Sequence, residues 1–159
     1  MIQRIQTVYL VLSAILLSLM FFFPIAEIKG DVQSYEFSAF GFASVAEDPD
    51  ALPAIIETNV VPLYVWIGIL VALIIFSIAQ FKKRKTQLKL NRLIFLLTVG
   101  LIVFLFYEAD RSVELFSSST NPLYKAGLYF AFAALPLLFL ANRGIKKDED
   151  LIKSLERIR

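Results

Sequence analysis

Apolar residues come in unbroken blocks along this chain. Residues 5–26, 60–81, 93–107 and 123–141 are almost continuously apolar, and the third block extends to 89–110 with its polar shoulders. Crossing about 30 Å of hydrocarbon at about 1.5 Å per residue takes about 20 residues. Backbone in lipid must satisfy its own hydrogen bonds, so each block predicts a membrane-spanning α-helix. Between the first two blocks the pattern changes. Tyr35, Phe37 and Ala39 alternate with Glu36, Ser38 and Phe40, the period of two of a half-exposed strand. Residues 25–29, a Gly30-Asp31 turn and residues 34–42 therefore predict a β-hairpin. Such a ribbon is marginal alone. It needs support from the ends of the spans, where Phe21, Phe22, Phe23, Phe104, Phe106, Tyr107 and Tyr124 form an aromatic belt. Residues 47–50 read as a loop and 52–59 as a helical turn into the second span.

Composition agrees. The 159 residues are 58% hydrophobic and 19% charged, and mean hydropathy is +0.69, whereas a soluble domain carries about 25% charge. The first block follows Arg4 as a secretory signal would, but it is too long for a signal core, and Pro24 and Ala26 make a poor cleavage site. It is expected to stay as a span. Charge then orients the chain. Of 16 Lys and Arg, 13 fall at the N-terminus (Arg4), in the link between spans two and three (Lys82, Lys83, Arg84, Lys85, Lys89, Arg92) and in the C-terminal tail. Only Lys29, Arg111 and Lys125 lie on the other side. Positive segments stay cytoplasmic, so both termini are expected inside and residues 27–59 form an acidic outer loop. The basic link needs no nucleic acid to explain it, since Phe81 is the one aromatic residue beside it.

The chain has no Cys and no His, which excludes thiol nucleophiles, disulfides, His-assisted hydrolysis and the common zinc and haem sites. The acids Glu47, Asp48, Asp50 and Glu57 lack the glycine bend of a calcium loop. No Walker, G-x-S-x-G or G-x-G-x-x-G motif occurs. No charge sits at mid-depth of any block, where transport and proton relay would need one. Its uncharged polar residues include Thr7, Ser13, Ser18, Ser77 and Thr98. Neither enzyme, cofactor nor metal is expected.

What remains is packing and surfaces. Gly68 and Ala72 in span two, and Gly127 and Ala131 in span four, are small-x-x-x-small pairs that allow close helix approach. Pro136 should kink span four. Glu27, Glu108, Asp110, Arg111 and Lys125 all fall at the outer interface. They form a candidate polar cluster for a lipid head group or quinone, or they pair and snorkel as interfacial charges usually do. In the tail, residues 146–159, Leu151, Ile152, Leu155 and Ile158 share one helical face, and Glu149 stands four residues before Lys153. A helix of about 12 residues is not stable alone, so this face needs the membrane interface, the cytoplasmic hairpin or another protein.

The opening MIQRIQTVYLVLSAILLSLMFFFPIAE and the close LANRGIKKDEDLIKSLERIR resemble the domain of unknown function 4293 family, small four-span inner-membrane proteins of Bacteroidota. That resemblance covers essentially the whole chain and implies a Gram-negative inner membrane and a periplasmic first loop. It carries no catalytic or binding residues. The expected architecture is an all-α membrane protein: a four-transmembrane-helix bundle (residues 1–145) with a small periplasmic β-hairpin and a short C-terminal amphipathic helix. The expected function is a non-catalytic accessory or scaffold subunit of a larger inner-membrane complex, in contact with the bilayer and other integral membrane proteins. The alternative is a stand-alone protein that binds a lipid or quinone, or acts on a lipid head group, at the periplasmic interface.

Overall fold

The computed structural model describes residues 2–29, 34–45, 55–56, 63–81, 83–115 and 121–157. Its helices are α1 (Ile2–Leu19), α2 (Leu63–Ala79), α3 (Arg84–Leu115) and α4 (Ala126–Arg157). Its strands are β1 (Ala26–Lys29), β2 (Ser34–Ser38), β3 (Gly41–Val45), β4 (Ile55–Ile56) and β5 (Leu123–Tyr124). Helices α3 and α4 are long and apolar enough to cross a membrane, while the apolar parts of α1 and α2, Ile5–Leu19 and Leu63–Ala79, are shorter.

Each helix packs on two others, α1 on α2 and α4, and α3 on α2 and α4, with α1 against α4 the most extensive contact. The core runs through Leu10, Leu17, Ile67, Leu70, Ile74, Leu101, Leu105, Ala131, Ala134 and Leu138. On α4 the buried positions Ala131, Ala134, Leu138, Ala141, Ile145 and Asp148 advance by three and four, the spacing of a helical stripe facing a core. That stripe does not stop at the charged segment.

Three boundaries differ from the sequence reading. The first helix ends at Leu19, not near residue 26. Pro24 disfavours helix in the residue before it and donates no hydrogen bond, and the chain turns from Met20 to Phe23 into β1. The basic link is largely helix. A turn closed by Lys83 N–H donating to the Gln80 carbonyl at 2.8 Å leads straight into α3, so Arg84, Lys85, Lys89 and Arg92 stand on its first turns. Third, α4 continues without a break from Ala126 to Arg157, so the tail prolongs α4 where a separate short helix is expected after residue 145.

The hairpin is part of a five-stranded antiparallel sheet, ordered β4-β3-β2-β1-β5. Pairing runs Ala26↔Phe37 and Glu27↔Glu36 between β1 and β2, and Phe37↔Phe42 between β2 and β3. The extra β2–β3 hairpin turns at Ala39-Phe40, which the sequence reading runs through as one strand. Gly41 has φ +123° there, a conformation that favours glycine. The Ser38 hydroxyl closes the turn by donating to the Gly41 carbonyl at 3.1 Å. Residues Ile55–Ile56 form β4, where the sequence suggests a helical turn. Leu123–Tyr124, expected to start the fourth span, instead adds β5 beside β1.

The sheet buries Ala26, Ile28, Phe37 and Phe42, with the rings of Phe37 and Phe42 stacked at 4.7 Å. Aromatic contacts seat it on the helix ends. Phe40 reaches Phe21 and Tyr64, each at 6.0 Å, and Phe106 meets Tyr124 edge-on at 5.2 Å.

Candidate functional site

At the sheet end, the expected polar cluster divides into two pairs. Glu27 lies on β1 opposite Leu123 of β5, which brings Lys125, two residues on, beside it. Lys125 Nζ stands 2.6 Å from Glu27 Oε2, with the two side chains 36% and 22% exposed. The Lys125 backbone N–H also donates to the Ile25 carbonyl at 2.8 Å, and that of Gly127 to the Pro24 carbonyl at 2.8 Å. The ion pair therefore completes the junction between β1 and the start of α4.

Glu108 is apart from it. Its side chain is only 4% exposed and is 3.5 Å from Arg111, three residues along α3. Asp110 faces solvent. The Tyr124 phenol is pushed above its ordinary value of 10.0, first by burial and then by the Asp110 carboxylate. Among the described residues no hydrogen bond or ion pair joins Glu27 to Glu108.

Small residues have unequal surroundings. A Cβ at Gly127 would lie 2.7 Å from the Pro24 carbonyl oxygen and 2.8 Å from that of Phe23, and Ala131 is fully buried. Around Gly68 nothing lies within 4 Å of such a Cβ, and Ala72 is exposed. Inside the helices, hydroxyls satisfy themselves. Ser13, Ser18, Thr98 and Ser112 donate to the carbonyls of Leu10, Ala14, Ile94 and Ala109 at 2.9, 2.8, 2.8 and 2.6 Å. Ser77 instead donates across the α2–α3 hairpin to Asn91 Oδ1 at 2.7 Å, and both residues are fully buried.

The opposite, basic end holds polar residues that the sequence reading misses. Gln6 Nε2 donates to Asp148 Oδ2 at 2.8 Å, both residues buried. Arg84 donates to the Asp148 backbone carbonyl at 3.4 Å. Gly144 makes room for this contact, since a Cβ there would lie 2.8 Å from Gln6 Cγ. Together with Thr7, Phe81, Gln87 and Ile145 these side chains line a cleft of about 290 Å³. The available signals were Gln6 inside an apolar block and Asp148 seven residues after Ala141. Continuing the apolar stripe of α4 through the charged run KKDED would have found the second. A second cleft of about 300 Å³ lies between α3 and α4, lined by Leu88, Arg92, Phe139, Asn142, Arg143 and Lys146.

Among the described residues no group of three His, Cys, Asp or Glu is placed to hold a metal. The acidic loop 47–50 and Glu57 lie outside the described residues. So does Ile158, while Leu151, Ile152 and Leu155 ride on the last turns of α4. Chemically, Glu27 with Lys125 and Glu108 with Arg111 form ion pairs, and Ser13, Ser18, Ser77, Thr98 and Ser112 form structural hydrogen bonds. No curated protein matches the chain. The family model described as a domain of unknown function (DUF4293) matches residues 2–158. Matched over nearly its whole length, the chain belongs to the DUF4293 family.

Proposed function

We propose that this protein is a non-catalytic accessory or scaffold subunit of a larger assembly in a bacterial inner membrane. In this reading all four helices span, both termini are cytoplasmic and the sheet is periplasmic. The observation that carries it is the outward face of α2. Gly68 has open space around it, and Tyr64, Val65, Ile69, Ala72, Ile75 and Phe76 are exposed beside it. A glycine and an alanine one turn apart give lipid little to pack on but let another helix approach closely. The polar residues support the same reading, because Glu27 and Glu108 already hold cations. That pairing leaves a periplasmic quinone or head-group site with nothing specific in its favour.

The test is size. Native membranes are solubilised in mild detergent and the protein is sized without overexpression. A particle far above an 18.0 kDa chain plus its micelle is expected. A particle no larger than the single chain in its micelle would overturn the proposal.

A further inference from the structure

The α3–α4 cleft at the basic end belongs to neither ion pair and has no part in the subunit reading. Phe139, Asn142, Arg143 and Lys146 line its α4 wall, and Leu88 and Arg92 its α3 wall. The α4 residues fall at i, i+3, i+4 and i+7, and the α3 residues at i and i+4, so each set occupies one helix face. No acid lines the cleft. Among the described residues Arg92, Arg143 and Lys146 form no ion pair, and all three are exposed. The Asn142 Oδ1 atom is buried and has no hydrogen-bond partner among the described residues.

The position matters as much as the charge. Arg92 immediately precedes the apolar run of α3 that starts at Leu93, and Asn142 immediately follows that of α4, which ends at Ala141. These are the two helices long and apolar enough to cross a membrane. In the spanning arrangement proposed above, on which this inference rests, these cations lie at the depth of the phosphates of one leaflet. The exposed side chains of Leu93, Leu96, Phe139 and Leu140 offer an apolar lane running from there toward mid-membrane.

We infer that this cleft binds the phosphodiester head group of an anionic phospholipid. Arg92, Arg143 and Lys146 hold the phosphate, Asn142 accepts from a head-group hydroxyl, and the acyl chains lie along the apolar lane. Arginine and lysine both bind phosphate by charge-assisted hydrogen bonds. Basic clefts between transmembrane helices recognise anionic head groups in this way. A soluble phosphate ester shares the chemistry but has no use for the lane.

The full chain, purified in an uncharged detergent, is titrated with phosphatidylglycerol or with phosphatidylcholine of the same acyl chains. Bound lipid is counted by native mass spectrometry. Each cation beside an anionic lipid is worth roughly a fivefold preference, so a preference of at least about fivefold for phosphatidylglycerol is expected. The triple variant Arg92→Gln, Arg143→Gln, Lys146→Gln should bring it close to parity, and Arg143→Gln alone should lower it. A control with the same charge loss, Lys85→Gln, Lys89→Gln, Lys147→Gln, should keep it. Equal loss in the control, or persistence in the triple variant, overturns the site. Displacement of the lipid by glycerol 3-phosphate overturns the membrane source.

Discussion

Gly127 and Gly68 show how the same residue in the same kind of motif can do different work. At Gly127 the backbone of residues 23–24 lies where a side chain would go, and backbone cannot yield as a flexible side chain can. Gly127→Ala should lower stability by about 1–3 kcal/mol, the cost of overpacking a filled site. Gly68→Ala meets open space and should be neutral or stabilise α2 by up to about 1 kcal/mol, the helix-propensity difference. Thermal unfolding of the two variants in one detergent compares them, and equal losses would contradict the packing described. Tyr124 gives a pH test. A phenol raised in the folded state contributes stability that is intact below its ordinary value of 10.0 and lost as pH rises through the folded value. Asp110→Asn removes the second cause of that rise. It should move the Tyr124 titration toward lower pH and reduce the alkaline loss of stability. The readout is tyrosinate absorbance, taken as the difference from Tyr124→Phe. An unchanged or higher titration would refute the contact.

At the scale of elements, four helices were legible because lipid-length apolar blocks leave few alternatives. Their ends were less so. Hydropathy registers Phe21, Phe22 and Phe23 as a continuation of α1, whereas Pro24 sets the stop. The charged run after residue 145 looks like a break, whereas the buried stripe through Ile145 and Asp148 shows that α4 carries on. The strand alternation at 35–40 was readable, but the partners of the sheet were not. A two-residue strand such as Leu123–Tyr124 has no periodicity of its own and is placed by its pairing with the edge of β1. Leu151 and Leu155 belong to the last turns of a 32-residue helix whose body packs on α1 and α3, not to a separate short helix. In the subunit reading, the double variant Leu151→Ser, Leu155→Ser should insert at normal abundance but lose cytoplasmic-side partners on co-purification. Native recovery of every partner would make the tail an interfacial anchor alone.

For the molecule as a whole, its two ends differ in character. The described part of the sheet end is held together by hydrogen-bonded strands, stacked aromatics and the Glu27–Lys125 pair. The basic end keeps two clefts open between helices. The members of the candidate cluster can be named from the sequence, and Arg111 follows Glu108 by three on one helix, but the pairing of Glu27 with Lys125 depends on β5, which nothing local announces. Gln6 and Asn142 were hidden because a single polar residue within or beside an apolar block carries no pattern, and Asp148 because the charged run around it masks the buried stripe it continues. Orientation ties these parts together, since the subunit reading requires the sheet outside and the α4 tail inside. Topology reporters fused after Arg159, within residues 82–89 and within residues 47–50 test it most directly. The 13 cations that the order of apolar blocks assigns to one side predict cytoplasmic signals from the first two and a periplasmic signal from the third. A periplasmic signal from the fusion after Arg159 would contradict the four-span account.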